Sequence, residues 1–284
     1  MNTDDAGPHH AGEGMQDATH DTFALHRGTA PLLVSLPHDG TALLDDLVPR
    51  LAPDARRVPD TDWHVSRLYA IARDMGASML VPRYSRYVVD LNRAEDDTSL
   101  YPGQNTTGLC PTVRFSGAPV YLDGHAPTHE EVRARVDRYW RPYHAALRAE
   151  LDRLRRVHGR VVLWDGHSIR GELPFLFEGR LPDLNLGTAG GASCSPALQA
   201  GLEALLSAQR DYTVAVNGRF KGGYITRHYG DPAQGIDAVQ LEVSQRNYMD
   251  EDGFQYLPGP AGRLQGVIER MLAQALVHAA GAPA

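Results

Sequence analysis

The chain has 284 residues, 42% of them hydrophobic, enough to bury a sizeable core. Its formal net charge is -7 and its Lys and Arg form no long basic block, which argues against nucleic acid as a partner. The two cysteines, Cys110 and Cys194, are too isolated for a disulfide framework, and no apolar run approaches the ~20 residues of a membrane span, so a cytoplasmic protein is expected.

Residues 1–24 are polar and acidic and lack the basic start and apolar middle of a signal peptide. They read as a disordered leader, with His9 and His10 solvated, and residues 25–284 read as one domain. A strand at 32–36 runs into Pro37-His38-Asp39-Gly40. Asp60-Thr61-Asp62-Trp63-His64 opens a helix expected over 63–75, where Thr61 or Asp62 is placed to cap it. A strand at 78–81 follows. From 83 to 122 periodicity is lost while Arg and aromatic residues are frequent, the mark of a site-forming loop region. Thr128 and Glu131 have capping-box spacing, and Val132, Val136, Tyr139, Trp140, Tyr143, Leu147, Leu151 and Leu154 then trace one helical face as far as Gly159. Strand 161–164 enters Asp165-Gly166-His167-Ser168. A helix at 195–209, a strand at 213–217, a glycine-rich loop at 218–235, a strand at 238–243 and a helix at 261–279 complete the chain. Strand-like runs alternating with helical patterns predict an α/β layered fold.

In open α/β sheets, ligands bind beyond the carboxyl ends of the strands. His38 and His167 both sit at such ends, and a neutral imidazole there suits a divalent metal. Two His and one carboxylate form a common catalytic zinc set, and Asp62 is preferred over Asp60 as the third ligand, with His64 a lesser candidate. Asp165, two residues before His167, points the same way in extended chain and is placed to orient it. Glu242 lies within a strand run. It is either an exposed edge residue sharing a face with Gln240, or a partly buried general base whose pKa burial raises. Arg86 and Arg93 in one segment, and Arg219 and Arg227 in the glycine-rich one, suit a small dianionic substrate, because guanidinium forks bind carboxylates bidentately.

These motifs stand together in order. Pro37-His38-Asp39-Gly40, Asp60-Thr61-Asp62-Trp63-His64, Ser85-Arg86-Tyr87-Val88-Val89-Asp90-Leu91-Asn92-Arg93, Leu100-Tyr101-Pro102-Gly103-Gln104, Asp165-Gly166-His167-Ser168, Asn217-Gly218-Arg219-Phe220-Lys221-Gly222-Gly223-Tyr224 and Gln240-Leu241-Glu242 span most of the chain. The set resembles the N-formylglutamate deformylase (amidohydrolase) family. The resemblance implies a mixed, mostly parallel central sheet with helices on both faces, similar to zinc carboxypeptidase-like hydrolases, so that residues 25–284 form one metal-dependent amidohydrolase domain. It implies hydrolysis of N-formyl-L-glutamate to formate and glutamate in histidine degradation, with one divalent ion, zinc by preference. His38, Asp62 and His167 would then be its ligands, Glu242 the proton-transfer group, and Asn92 with Arg93 the clamp on a substrate carboxylate. Arg86, Arg219, Tyr224 and Arg227 would complete the substrate site. The rival readings are a deacylase of another N-acyl acidic amino acid, a short-peptide carboxypeptidase on the same fold, and a non-catalytic dicarboxylate-binding module. Two positions depart from the resemblance. Gly166 stands where Ala or Leu is expected and should loosen the turn, and Asp39 stands where a small or apolar residue is usual and should add negative charge near the metal.

Overall fold

Strand-length apolar runs buried on both sides dominate the computed structural model, which describes residues 18–98 and 105–281. The strands are β1 (Ala18–Thr19), β2 (Phe23–His26), β3 (Leu32–Ser35), β4 (Ser78–Pro82), β5 (Val161–Ile169), β6 (Leu184–Gly187), β7 (Val214–Val216) and β8 (Ile236–Ser244). They form one eight-stranded sheet in the order β1-β2-β4-β3-β5-β8-β6-β7. Its centre, β4-β3-β5-β8, is parallel throughout, while β2 pairs antiparallel with β4 and β6 antiparallel with β8. The fold is thus mixed α/β, mostly parallel at its core.

The helices are α1 (Val65–Leu68), α2 (Ile71–Asp74), α3 (His129–Arg135), α4 (Arg141–His158), α5 (Pro196–Ala208), α6 (Tyr224–Tyr229) and α7 (Pro258–Ala279). Successive strand side chains alternate between faces, and the core divides accordingly. Leu32, Val34, Val162, Trp164, Val239 and Leu241 pack with α1, α2, α5 and α7. Leu33, Val161, Leu163 and Ala238 pack with α4 and α6 on the other face. Both faces are covered, as a parallel sheet requires. The capping box at Thr128 and Glu131 is formed, and a π-helical turn, Val136–Trp140, joins α3 to α4.

Several elements differ from expectation for identifiable reasons. The leader predicted over 1–24 is ordered over its last residues, where Ala18–Thr19 pairs with β2 and β2 pairs with β4; residues 1–17, with His9 and His10, lie outside the described residues, as does the Leu100–Gln104 motif. The single helix expected over 63–75 is two short ones, because Tyr69 and Ala70 interrupt it. Neither Thr61 nor Asp62 caps it. Asp39 Oδ1 accepts the Ser66 N–H at 3.0 Å instead, so Asp39 satisfies a helix terminus, and its charge also interacts with Asp62. Helix α7 begins at Pro258, since proline is tolerated in a first helical turn.

The largest difference lies in β5, which continues to Ile169, so His167 stands inside the strand and not in a turn beyond it. Pairing with β8 persists through Gly166↔Leu241 and His167↔Glu242. Gly166 does not loosen anything. A Cβ there would lie 2.7 Å from Leu36 Cδ2 and 3.1 Å from two Tyr69 ring carbons, and both side chains are fully buried. Tyr69 is itself fixed by Trp164 Nε1, which donates to its hydroxyl at 3.0 Å. Overpacking of this kind costs about 1–3 kcal/mol. Gly166→Ala is therefore predicted to lower stability by that amount in urea unfolding, with an unchanged m-value; an unmoved midpoint would show that the site has room.

Candidate active site

The sheet delivers its polar residues to one cleft. His38 follows β3, Asp62 lies in the loop before α1, and His167 and Glu242 stand side by side in parallel register on β5 and β8. Asp165 with His167, and Gln240 with Glu242, share faces by the two-residue strand period. All six are buried.

His38, Asp62 and His167 each offer one donor atom, and these atoms lie within 4.8 Å of one another; this is the group among the described residues that can hold a metal ion. Asp62 Oδ2 lies 3.1 Å from His167 Nδ1 and 3.7 Å from His38 Nδ1. Donors about 2.1 Å from a tetrahedral zinc sit about 3.4 Å apart, so the spacing fits one ion. The other ring nitrogens are held from behind. His38 Nε2 meets Asp90 Oδ1 at 2.7 Å, and Asp90 Oδ2 accepts from Arg86 at 2.5 Å. His167 Nε2 lies 3.0 Å from Asp165 Oδ1, in an ion-pair contact, and 3.0 Å from Asn92 Nδ2, while Asp165 Oδ2 accepts from Thr226. Protons on both Nε2 atoms would leave both Nδ1 lone pairs for the ion, the arrangement by which carboxylates fix metal-ligating histidines. Three protein donors leave a coordination position open, as catalytic sites do.

The electrostatics agree with a cation site. Burial works against ionising Asp62, yet the hydrogen-bonded His167 and the nearby His38 imidazole hold its carboxyl well below the usual range. Burial likewise opposes a charged His167, and the Asp165 and Asp62 carboxylates outweigh it, keeping its pKa well above the ordinary value. Asp90, opposed by the same desolvation, is held low chiefly by Arg86 and then His38. Glu242 lacks such a partner: burial pushes its carboxyl up to about 8. Its hydrogen bond comes from Gln240 Nε2 at 3.3 Å.

The expected substrate residues divide. Arg86, Arg93 and Arg219 line the cleft, together with Asn105, Thr106, Thr107, Phe115 and Leu176. Arg93 Nε donates to Thr107 O, and Arg219 to Leu176 O and Asn105 O. Arg86 is tied to Asp90 and packs over the Phe115 ring. Asn92 also lines the cleft, but as part of its wall and not as a free clamp. Its Oδ1 accepts the Ile225 N–H at 2.8 Å, which orients Nδ2 toward Asp165 Oδ2 and the His167 ring. Tyr224 and Arg227 are not among the lining residues. Tyr224 opens α6 and packs among Trp140, His144 and His228, and Arg227 Nε donates to Gly222 O on the exposed side of that helix. Asp60 is committed elsewhere, accepting from the Tyr87 hydroxyl and the Phe115 N–H, and His64 bonds Phe254 O.

The sequence reading missed Asp90 as the group behind His38, and Gln240 as the group beside Glu242. Asp90 lies in a non-periodic loop where no pattern marks its direction. Gln240 was legible as sharing a face with Glu242, but only the neighbouring strands show that this face is buried.

Comparison with known proteins identifies the family and the fold. A model of the family described as N-formylglutamate amidohydrolase matches residues 30–249. The chain is 50% identical to an N-formylglutamate deformylase of Pseudomonas putida over 256 residues, covering 90% of this chain and 95% of that one. It is also 50% identical to an N-formylglutamate deformylase of Pseudomonas aeruginosa, covering 89% and 95%. Among solved structures, an N-formylglutamate amidohydrolase from Ralstonia eutropha superposes with a TM-score of 0.76 at 27% identity, covering 91% of this chain and 97% of that one. A gene product of Agrobacterium tumefaciens shares the fold, with a TM-score of 0.68 at 17% identity, covering 90% and 94%. With the family matched over residues 30–249 and half of all aligned positions shared with the two Pseudomonas enzymes, this chain belongs to the N-formylglutamate amidohydrolase family.

Proposed function

We propose that the protein hydrolyses N-formyl-L-glutamate to formate and L-glutamate, as a step of histidine degradation, using one divalent ion, zinc by preference, held by His38, Asp62 and His167. The carrying observation is the pairing of that three-donor centre with Glu242, one strand away in exact register with His167, in a cleft lined by arginines. A bound ion would supply Lewis-acid polarisation of the formyl oxygen, acidification of a water, and positive charge that favours the ionised form of Glu242.

The chain's own groups do the rest. Glu242 takes the proton from the attacking water as it adds to the formyl carbon, and returns it to the departing glutamate nitrogen. A carboxyl raised by burial suits both directions of this transfer, because its affinity for the proton is closer to neutrality than that of a solvated glutamate. Arg93 and Arg219 face the substrate carboxylates across the cleft, and Arg86 contributes positive charge beside the centre. Asp90 and Asp165 hold the two histidines, and Asn92 holds the Asp165–His167 pair against α6.

Glu242→Gln keeps the side-chain size and removes the proton acceptor, so kcat should fall ~10²-fold or more; a variant with near-normal kcat would exclude Glu242 as the proton carrier. A panel of formyl-, acetyl- and succinyl-glutamate should show clear preference in kcat/KM for the formyl compound, whereas equal or better use of a larger acyl group would move the assignment to a broader deacylase.

Proton and ion compete for the centre. The raised His167 pKa means that the metal-free protein retains an imidazole proton above the ordinary range, and coordination requires the neutral ring. Zinc binding should thus release protons, and its apparent affinity should rise with pH until His167 is neutral in the metal-free form. Calorimetry in two buffers of different ionisation enthalpy reads this directly, and identical heats in both would contradict it.

A further inference from the structure

The segment that carries Asp62 is held on both flanks by Gln245 and Tyr248, neither of which lines the cleft. Thr61 O accepts from Gln245 Nε2 at 3.0 Å, and Trp63 O accepts from the Tyr248 hydroxyl at 2.7 Å. The carbonyls immediately before and after Asp62 are therefore both tied to the turn that follows β8.

Valence fixes the protons of this cluster. A phenol has one proton and a carbonyl can only accept, so the Tyr248 proton goes to Trp63 O. The 2.7 Å contact between the Tyr248 and Ser168 hydroxyls then carries the serine proton, and Ser168 Oγ accepts the second hydrogen of Gln245 Nε2 at 3.3 Å. Ser168 closes the circuit by donating its backbone N–H to Asp62 Oδ2 at 3.0 Å. Ser168, Gln245 and Tyr248 are each no more than 1% exposed, so water does not compete for these bonds. Two further ties bear on the same loop. Asp62 N–H donates to His38 O at 3.0 Å, and His64, at φ 64, is held there by a 2.8 Å bond from its Nε2 to Phe254 O. A non-glycine residue persists in that backbone region where its surroundings over-determine it.

We propose that Tyr248 and Gln245 are positioning residues for the Asp62 carboxylate, fixing the two peptide planes that bracket it and thereby setting the ion affinity of the centre. The assignment rests on the His38–Asp62–His167 group being an ion site. Asp62 is the donor that most needs such support. The histidines stand against a strand or its end, with carboxylates behind them, whereas Asp62 comes from a loop. If the loop relaxes, its carboxylate keeps its charge but loses the pre-set direction that places Oδ2 between the two imidazoles.

The test is a zinc titration of metal-free protein against a chromophoric chelator, for wild type, Tyr248→Phe and Gln245→Met, with thermal unfolding of each metal-free form. Supporting residues around a metal site alter affinity about 10–100-fold. The expected result is one zinc per wild-type chain and a Kd weakened by that factor in each variant, with kcat at saturating zinc within a few-fold of wild type. A merely structural role would lower the metal-free Tm and leave the zinc Kd where it was, and an unchanged Kd in a folded variant overturns the proposal whatever its Tm. Gln245→Met carries the comparison alone if Tyr248→Phe does not fold. A wild type that binds no zinc overturns the metal reading itself, a result distinguishable from equal affinity in wild type and variants.

Discussion

Four carboxylates, those of Asp62, Asp90, Asp165 and Glu242, are buried around one cleft, and the organisation of the site follows from what it takes to keep them there. An ionised carboxylate in the interior is unfavourable unless it is paired and hydrogen-bonded. Asp90 meets this demand with Arg86, His38 and the Asn92 N–H. Asp165 meets it with Thr226, Asn92 and His167. Asp62 has both imidazoles and the Ser168 N–H. Glu242 alone is left with an amide neighbour, and it is the one whose proton affinity rises toward neutrality. The same compensation that holds the Asp62 and Asp90 carboxyls below the ordinary range leaves Glu242 able to exchange a proton.

This division of roles depends on the sheet. β5 lies between β3 and β8 with parallel pairing on both sides, so the end of each strand is fixed relative to its neighbours by backbone hydrogen bonds. His38, His167 and Glu242 inherit that fixed spacing. The loop residues are then fixed by side-chain to backbone bonds, Asp62 to Ser168 on β5 and Asn92 to Ile225 on α6. Strand-borne groups set the frame, and loop-borne groups are locked onto it.

Much of this frame was legible in the sequence because strand periodicity marks it. Apolar runs ending at Pro37-His38 and Asp165-Gly166-His167 identified both histidines, and the two-residue spacing aligned Asp165 with His167. What lay beyond reach depends on tertiary pairing. Asp-Gly-His-Ser reads as a turn by local chemistry, yet it is strand because β8 pairs with it through Ser168↔Val243. Asp60 and Asp62 are alike in local pattern, and only the distant Tyr87 hydroxyl and Phe115 N–H draw Asp60 away. Tyr224 and Arg227 sit in a glycine-rich stretch that looked like loop. There a short helix of six residues carries them, and neither is among the residues that line the cleft. The first strands were missed because a polar leader gives way to Phe23 and Leu25 without a break in composition.

The central claim is that His38, Asp62 and His167 hold the ion on which hydrolysis depends. Activity toward N-formyl-L-glutamate, measured on protein stripped with a chelator and then titrated with zinc, tests it most directly. Activity should vanish on stripping and return in proportion to zinc, reaching its plateau at about one equivalent per chain, as a single three-donor site requires. Full activity in protein shown by elemental analysis to be metal-free would contradict it.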